Sequence, residues 1–197
     1  MKVLETGRLL LRWLKANDAE FILQLVNDPS WLRYIGNKGV RTLEDAQLYI
    51  ENGPVEMYAR LGHGLYLVEK KATGEAVGIC GLISRESLKD VDLGFAFLPE
   101  FRGQGYAFES ASAIMVHEVR VHGLSRVVAV TSQDNHASAR LLEKLGFRFE
   151  RLVQLTAEAA EVRMYVTVEL PGVASTPVSP GLGKGQDQLS KCSGEWG

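Results

Sequence analysis

Residues 91–122 constrain the fold of this chain more than any other stretch. Residues 91–98 form an apolar run of strand length that stops at Pro99, and a helical pattern begins near Tyr106 and continues to about His122. Arg102, Gly103, Gln104 and Gly105 lie between them. Two glycines in so short a turn permit positive φ and let the backbone approach a ligand closely. The first amides of the following helix have no partner inside it and sit at the positive end of its dipole. Such a unit offers a place for phosphate groups; an ordinary connection between two elements is the alternative. The turn lacks the Gly-Lys-Ser/Thr ending of a nucleotide P-loop, and Phe108 stands where a dinucleotide fingerprint needs its third glycine. A phosphate loop without metal machinery suits a cofactor whose reactive end lies elsewhere.

The flanking patterns predict a mixed chain. Residues 8–13 read as a strand, and Asn17, with Glu20 three residues on, reads as the N-cap of a helix carrying Phe21, Ile22, Leu25 and Val26. Asn27-Asp28-Pro29-Ser30 ends that helix, and residues 31–40 show no clear period. Thr42 to Asp45 starts another helix that fades at Asn52-Gly53-Pro54, with a further helical turn or two over residues 55–61. Residues 65–69 and 76–84 read as strands around a hairpin with Gly74 at its tight position, followed by residues 91–98 as the next strand of an antiparallel meander. The valine-rich residues 126–131 read as a strand parallel to 91–98 across the helix. Ser138, Leu141, Leu142 and Leu145 repeat at helical spacing up to Gly146, and residues 147–153 and 161–169 pair as two final strands.

This order predicts an α/β (α+β) domain over residues 1–170, with a mixed, mostly antiparallel twisted sheet flanked by helices. From Pro171 on, proline, glycine and serine replace the periodic apolar pattern, so residues 171–197 read as a mobile tail. A net charge of −2 gives no basic field for nucleic acid or an anionic membrane, and no apolar run approaches a membrane span. Cys80 and Cys192 suggest no disulfide framework, and no secretory leader is visible, so a cytoplasmic location is expected. The four histidines, His63, His117, His122 and His136, show no metal-ligand spacing, so no metal is expected.

The turn Arg102-x-x-Gly105-x-Ala107 resembles the pyrophosphate loop of the GCN5-related N-acetyltransferases. Four further segments resemble the RimJ/RimL-type branch in order and spacing: Glu5-Thr-Gly-Arg-Leu-Leu-Leu-Arg12, Thr73 to Gly78, Val91 to Phe95, and Asp134 to Ser138 with Leu142 to Phe147. The resemblance covers residues 3–170. It implies acetyl-CoA as acetyl donor, held by Arg102, Gly103, Gln104, Gly105, Tyr106 and Ala107, and a primary amine as acceptor, either a protein N-terminus or a small molecule. It implies that pantetheine lies like an added strand between two splayed strands, with Phe97 and Leu98 as backbone contacts; the side chains of Phe95 and Phe97 read as core. Asp92 is the leading general base, with Glu86 as alternative, because a lysine-like amine of pKa ~10.4 must lose a proton. A partner for Arg85 or Lys89 is the other reading of Asp92. Leu142 occupies the place where many relatives carry a tyrosine acid, so that role is not carried over. Asn135 is either a pantetheine contact or a helix cap, and Ser138 either a cofactor contact or a small packing residue. Trp31 and Tyr34, with Arg33 and Lys38, fall where the family covers its acceptor. The assembly expected is a monomer or homodimer, and a catalytically silent acyl-CoA-binding module is the alternative function.

Overall fold

The computed structural model describes residues 1–168. In chain order the elements are β1 (Lys2–Glu5), β2 (Leu9–Trp13), α1 (Ala19–Val26), α2 (Pro29–Tyr34), α3 (Leu43–Ile50), α4 (Glu56–Leu61), β3 (Leu65–Lys70), β4 (Ala76–Ile83), β5 (Asp92–Phe97), α5 (Tyr106–His122), β6 (Val128–Ser132), α6 (His136–Lys144), β7 (Phe147–Val153) and β8 (Val162–Thr167). The strands form one sheet in the order β1-β2-β3-β4-β5-β6-β8-β7. All neighbours run antiparallel except β5 and β6, which α5 connects as a crossover. The expected mixed, mostly antiparallel sheet is therefore present. The predicted tail, residues 171–197, lies outside the described residues.

Period-two alternation puts a core on each face of the sheet. Tyr66, Val68, Cys80, Leu82 and Leu93 pack under Ala111, Ile114, Met115 and Val119 of α5. Leu67 and Ile79 point to the opposite face, where Ile22, Leu25, Trp31 and Ile50 of α1–α3 cover them. Burial pushes the Cys80 thiol up to about 12, so this cysteine is a packing residue rather than a nucleophile.

The helix boundaries differ from expectation in three places. Asn17 does not cap α1: it sits inside a 3₁₀ turn, Ala16–Asp18, and Asp18 stands at the N-cap position, where its carboxylate makes no capping bond to α1 and instead accepts the Lys15 N–H at 2.9 Å. A short helix, α2, forms inside the segment read as aperiodic, because the Asp28 carboxylate accepts the N–H groups of Ser30 and Trp31 and Pro29 presets φ at the first position. The second helix does not fade at Pro54. A π-helical turn, Glu51–Val55, carries the chain past the proline's missing donor and on into α4. The Thr42 cap of α3 forms as predicted, with Asp45 closing the reciprocal box.

Arg12 on β2 ties the sheet to the start of α1. It grips Asp18 with two nitrogens at 2.7 and 2.8 Å and Glu69 of β3 at 2.7 Å, and all three side chains are largely shielded. Hydrogen bonding to Asp18 raises its already high pKa further. Arg12→Ala leaves two carboxylates facing each other out of water. It is expected to cost about 3 kcal/mol of unfolding free energy in a urea titration; a change below about 0.5 kcal/mol, the range of ordinary surface substitutions, would remove this triad from the account.

Candidate active site

The site is built by two strands that part company. Along β5 and β6 the ladder holds a single pair, Asp92 with Val128, anchored by the Val128 N–H on the Val91 carbonyl at 2.9 Å. The Asp92 carboxylate itself makes the last link, accepting the Val130 N–H at 3.1 Å. Beyond that point the strands diverge and leave a wedge that widens toward the C-terminal end of β5.

The backbone inside the wedge follows from antiparallel alternation. Leu98 donates its N–H to Val77 at 3.1 Å, so the even-numbered residues of β5 turn their polar groups to β4 and the odd-numbered ones turn theirs to the wedge. The N–H and C=O of Phe95 and the N–H of Phe97 thus face the gap, and the Phe97 carbonyl accepts the Arg102 Nε at 2.8 Å. Leu98, expected as a backbone contact, has both groups engaged: its N–H donates to Val77 and its carbonyl accepts the Phe101 N–H, so its polar groups face away from the wedge. The Phe97 side chain is buried in the core.

The glycine turn closes the wide end of the wedge. Gly103 and Gly105 both take left-handed φ, +74° and +82°, and a Cβ on Gly103 would meet open space. Among the described residues no side chain caps α5, and the Glu109 N–H is the first to bond back, to the Gly105 carbonyl at 3.0 Å. The amides of Tyr106, Ala107 and Phe108 therefore start the helix without intrahelical partners. Arg102 belongs to this turn through its backbone. Its guanidinium is committed elsewhere, to Asp28 at 2.7 Å, the Ser30 hydroxyl at 2.8 Å and Phe97. Burial alone would raise the Asp28 carboxyl, but Arg102 and two backbone N–H groups outweigh it and hold it below its ordinary range.

A second clamp holds the turn from behind. Glu109, in the first turn of α5, accepts the Thr6 hydroxyl at 2.5 Å, the Arg8 N–H at 2.9 Å and the Arg8 Nε at 2.6 Å. Arg8 then reaches the Gln104 carbonyl at 3.0 Å and lies over the Tyr106 ring at 4.6 Å. Thr6, Arg8 and Glu109 were not singled out as site residues by sequence. Thr6 and Arg8 lie in the Glu5–Arg12 motif, but their partner is about a hundred residues away.

Helix α2 roofs the wedge. One end is strapped to the β5 side through Asp28 and Ser30, and the other to the β6 side, where Arg33 pairs with Asp134 at 2.8 Å and Ser132 donates to the Tyr34 carbonyl at 3.1 Å. Trp31 and Tyr34 line the cavity of about 1330 Å³ beneath it, and the Trp31 indole N–H is buried with no partner among the described residues. On the β6 side, Asn135 caps α6 by accepting the Ser138 N–H at 3.1 Å. The cap uses only the Asn135 carbonyl oxygen, so its NH₂ remains a donor on the cavity wall, beside Ser138 and Leu142.

Asp92 lies at the narrow end of the wedge, 1% exposed. Arg85 donates to it from Nε at 2.5 Å, realising the anticipated partnership, whereas Lys89 makes no such pair. Burial raises the Asp92 carboxyl above its ordinary range, and Arg85 and the Val130 N–H only partly offset this. Among the described residues no three His, Cys, Asp or Glu side chains converge on a point, and no helix is long and apolar enough to cross a membrane.

Comparison with known proteins agrees with this geometry. The sequence profile of the acetyltransferase (GNAT) domain matches residues 8–148. The chain is 31% identical over 153 residues to the N-acetyltransferase YoaA of Bacillus subtilis (strain 168), itself described as uncharacterized; the match spans 77% of this chain and 86% of the relative. Among solved structures, an acetyltransferase from Agrobacterium tumefaciens superposes with a TM-score of 0.73 at 24% identity, covering 86% of this chain and 95% of that one. A RimL ribosomal L7/L12 alpha-N-protein acetyltransferase solved with coenzyme A superposes at 0.71 and 23% identity, covering 84% and 97%. At these identities the two structures establish the shared fold.

Proposed function

We propose that this chain, which belongs to the acetyltransferase (GNAT) family, is an enzyme whose domain of residues 1–170 moves the acetyl group of acetyl-CoA to a primary amine by direct attack. One observation carries the reading: the β5–β6 wedge opens from Asp92 toward an uncapped helix start fronted by two left-handed glycines. The residues present fit such a cofactor. The amides of the turn and of Tyr106 and Ala107 face open space at Gly103 and would hold a pyrophosphate, with Gln104 and Arg102 fixing the turn's shape. The free groups of Phe95 and the N–H of Phe97 would pair with an extended amide chain as a missing strand would. Acetyl-CoA, when bound, supplies an acyl group activated as a thioester.

The protein's own groups handle the proton and the position of the amine. An amine of pKa ~10.4 is mostly protonated at neutral pH and must lose a proton to attack. Asp92, raised by burial and placed at the narrow end of the wedge, accepts it directly or through one water. Asn135 supplies its NH₂ as a contact, Ser138 flanks it, and Trp31 and Tyr34 bound the acceptor from the roof. Leu142 lines the cavity without a proton to give, and a thiol of pKa ~8.5 leaves without a strong acid. RimL-like neighbours act on a protein α-amine by their titles, which makes an N-terminal amine one acceptor and a small amine the other.

The test is free-thiol release from acetyl-CoA with a panel of amines and N-terminal peptides. Amine-dependent release is expected; tight CoA binding with no release on any acceptor would instead mark a silent binding module. The Arg8 clamp yields a second expected result. Arg8→Ala frees Gln104 and Glu109 and should weaken CoA binding about fivefold, the ~1 kcal/mol of a well-formed exposed pair. Unchanged affinity by calorimetry would show that the turn keeps its shape unaided.

A further inference from the structure

The acceptor side of the cavity carries donors that the protein leaves without acceptors. Arg85 spends Nε on Asp92, and among the described residues its two terminal nitrogens have no hydrogen-bond partner. Lys38 lines the same cavity and forms no ion pair among the described residues. Desolvation by the cavity walls, and then Arg85, push the Lys38 ammonium below its ordinary value, which places the two cations within each other's field. Two carboxylates on the same wall, Asp92 and Asp45, balance this charge but bond neither Lys38 nor the terminal nitrogens of Arg85. Asp92 is shared between Arg85 and the Val130 N–H, and Asp45 is turned to the N–H groups of Arg41 and Thr42 at the start of α3. Tyr49 also faces Arg85, and burial raises its phenol, so it stays neutral. Lys and Arg are donors only, so these nitrogens call for an anionic acceptor.

We infer that the acceptor is a primary amine that also carries a carboxylate, held by the free guanidinium nitrogens of Arg85 together with Lys38 while the amine reaches the Asp92 end of the wedge. A carboxylate accepts two parallel bonds from an arginine fork and gains charge assistance from both cations. The inference rests on the acetyl-transfer reading for its geometry and adds the acceptor's chemistry to it. Two sources supply the same group: a free amino acid, or an acidic side chain next to a peptide's N-terminus.

The experiment uses matched pairs differing only in that charge. The small-molecule arm compares 4-(aminomethyl)benzoate with 4-(aminomethyl)benzamide, and the peptide arm compares N-terminal Ser-Asp with Ser-Asn. For each, kcat/KM is read by thiol release, and binding by calorimetry without acetyl-CoA. The acid is expected to exceed its amide about tenfold in at least one arm, which also identifies the source. Lys38→Met should reduce that preference severalfold, chiefly by raising the acid's KM. Lys38 makes no ion pair among the described residues, so this variant breaks none; it and Arg85→Gln, which should lower the preference further, are both checked by their melting curves. Equal use of acids and amides in both arms overturns the inference while leaving acetyl transfer standing, as does a preference that survives both variants. Acids that bind in preference to amides without thiol release overturn acetyl transfer and leave the carboxylate site in place. Neither preferential binding nor release overturns both.

Discussion

Gly105→Val is expected to abolish measurable CoA binding, a loss of roughly a hundredfold or more, equivalent to ~3 kcal/mol. Two effects combine. Gly105 sits at φ +82°, where a β-branched residue is strained by about 1–2 kcal/mol, so the turn must rebuild. A Cβ there would also lie 3.3 Å from the Arg8 guanidinium, displacing the side chain that holds the Gln104 carbonyl. The rebuilt turn no longer aims its amides at one point, and the valine occupies space a phosphate needs. Gly74→Val separates binding from strain: Gly74 has φ +70° in the β3–β4 hairpin, with nothing near its Cβ position. It should lose stability on a similar scale and keep its CoA affinity. Equal losses of affinity in both variants would mean that the glycine turn does not hold the cofactor.

Asp92→Asn is expected to lower kcat about a hundredfold or more, the lower range for removal of a general base. The amide is isosteric but offers one oxygen to two donors; if the Val130 N–H keeps it, the NH₂ faces Arg85 Nε, so an unchanged melting curve and CoA affinity must accompany the rate loss. The pH dependence carries the sign. A base works deprotonated, and burial raises the Asp92 pKa, so the wild-type rate should fall as pH drops through that raised value. In Asp92→Asn this acid limb disappears, and the residual rate rises with pH as free amine becomes available. A wild-type acid limb that persists in the variant would assign the proton to another group and leave Asp92 as the pin between β5 and β6.

Much of this arrangement is legible in the sequence because it is local. The β5–turn–α5 unit is one continuous stretch with Pro99 and two glycines as punctuation, and the Thr42–Asp45 box and the Gly74 hairpin are equally short-range. What the sequence hides depends on distant partners. Helix α2 has only six residues and too few turns to show a period, so its existence rests on the Asp28 cap and on straps to Arg102 and Asp134. Strand β1 is four residues long and owes its pairing to β2. Asn17 has the right chemistry for a cap but loses the place to Asp18, whose carboxylate is gripped by Arg12, which also holds Glu69 across the sheet. Leu98 fails as a pantetheine contact for a reason of parity: the strand register decides which residues face the wedge, and a shift of one reverses every assignment. The Arg85–Asp92 pair is only seven residues apart and could be anticipated, whereas the unused half of Arg85 shows only once its surroundings are known.

Delivery of an acetyl group to an amine by the wedge leaves two products to be counted in one reaction: free CoA thiol and N-acetylated acceptor, quantified together by mass spectrometry with saturating acetyl-CoA. Equal amounts of the two are expected, both dependent on the amine and both falling with Asp92→Asn. Saturable CoA binding with thiol released no faster than by spontaneous hydrolysis, and with no acetylated amine, would contradict acetyl transfer.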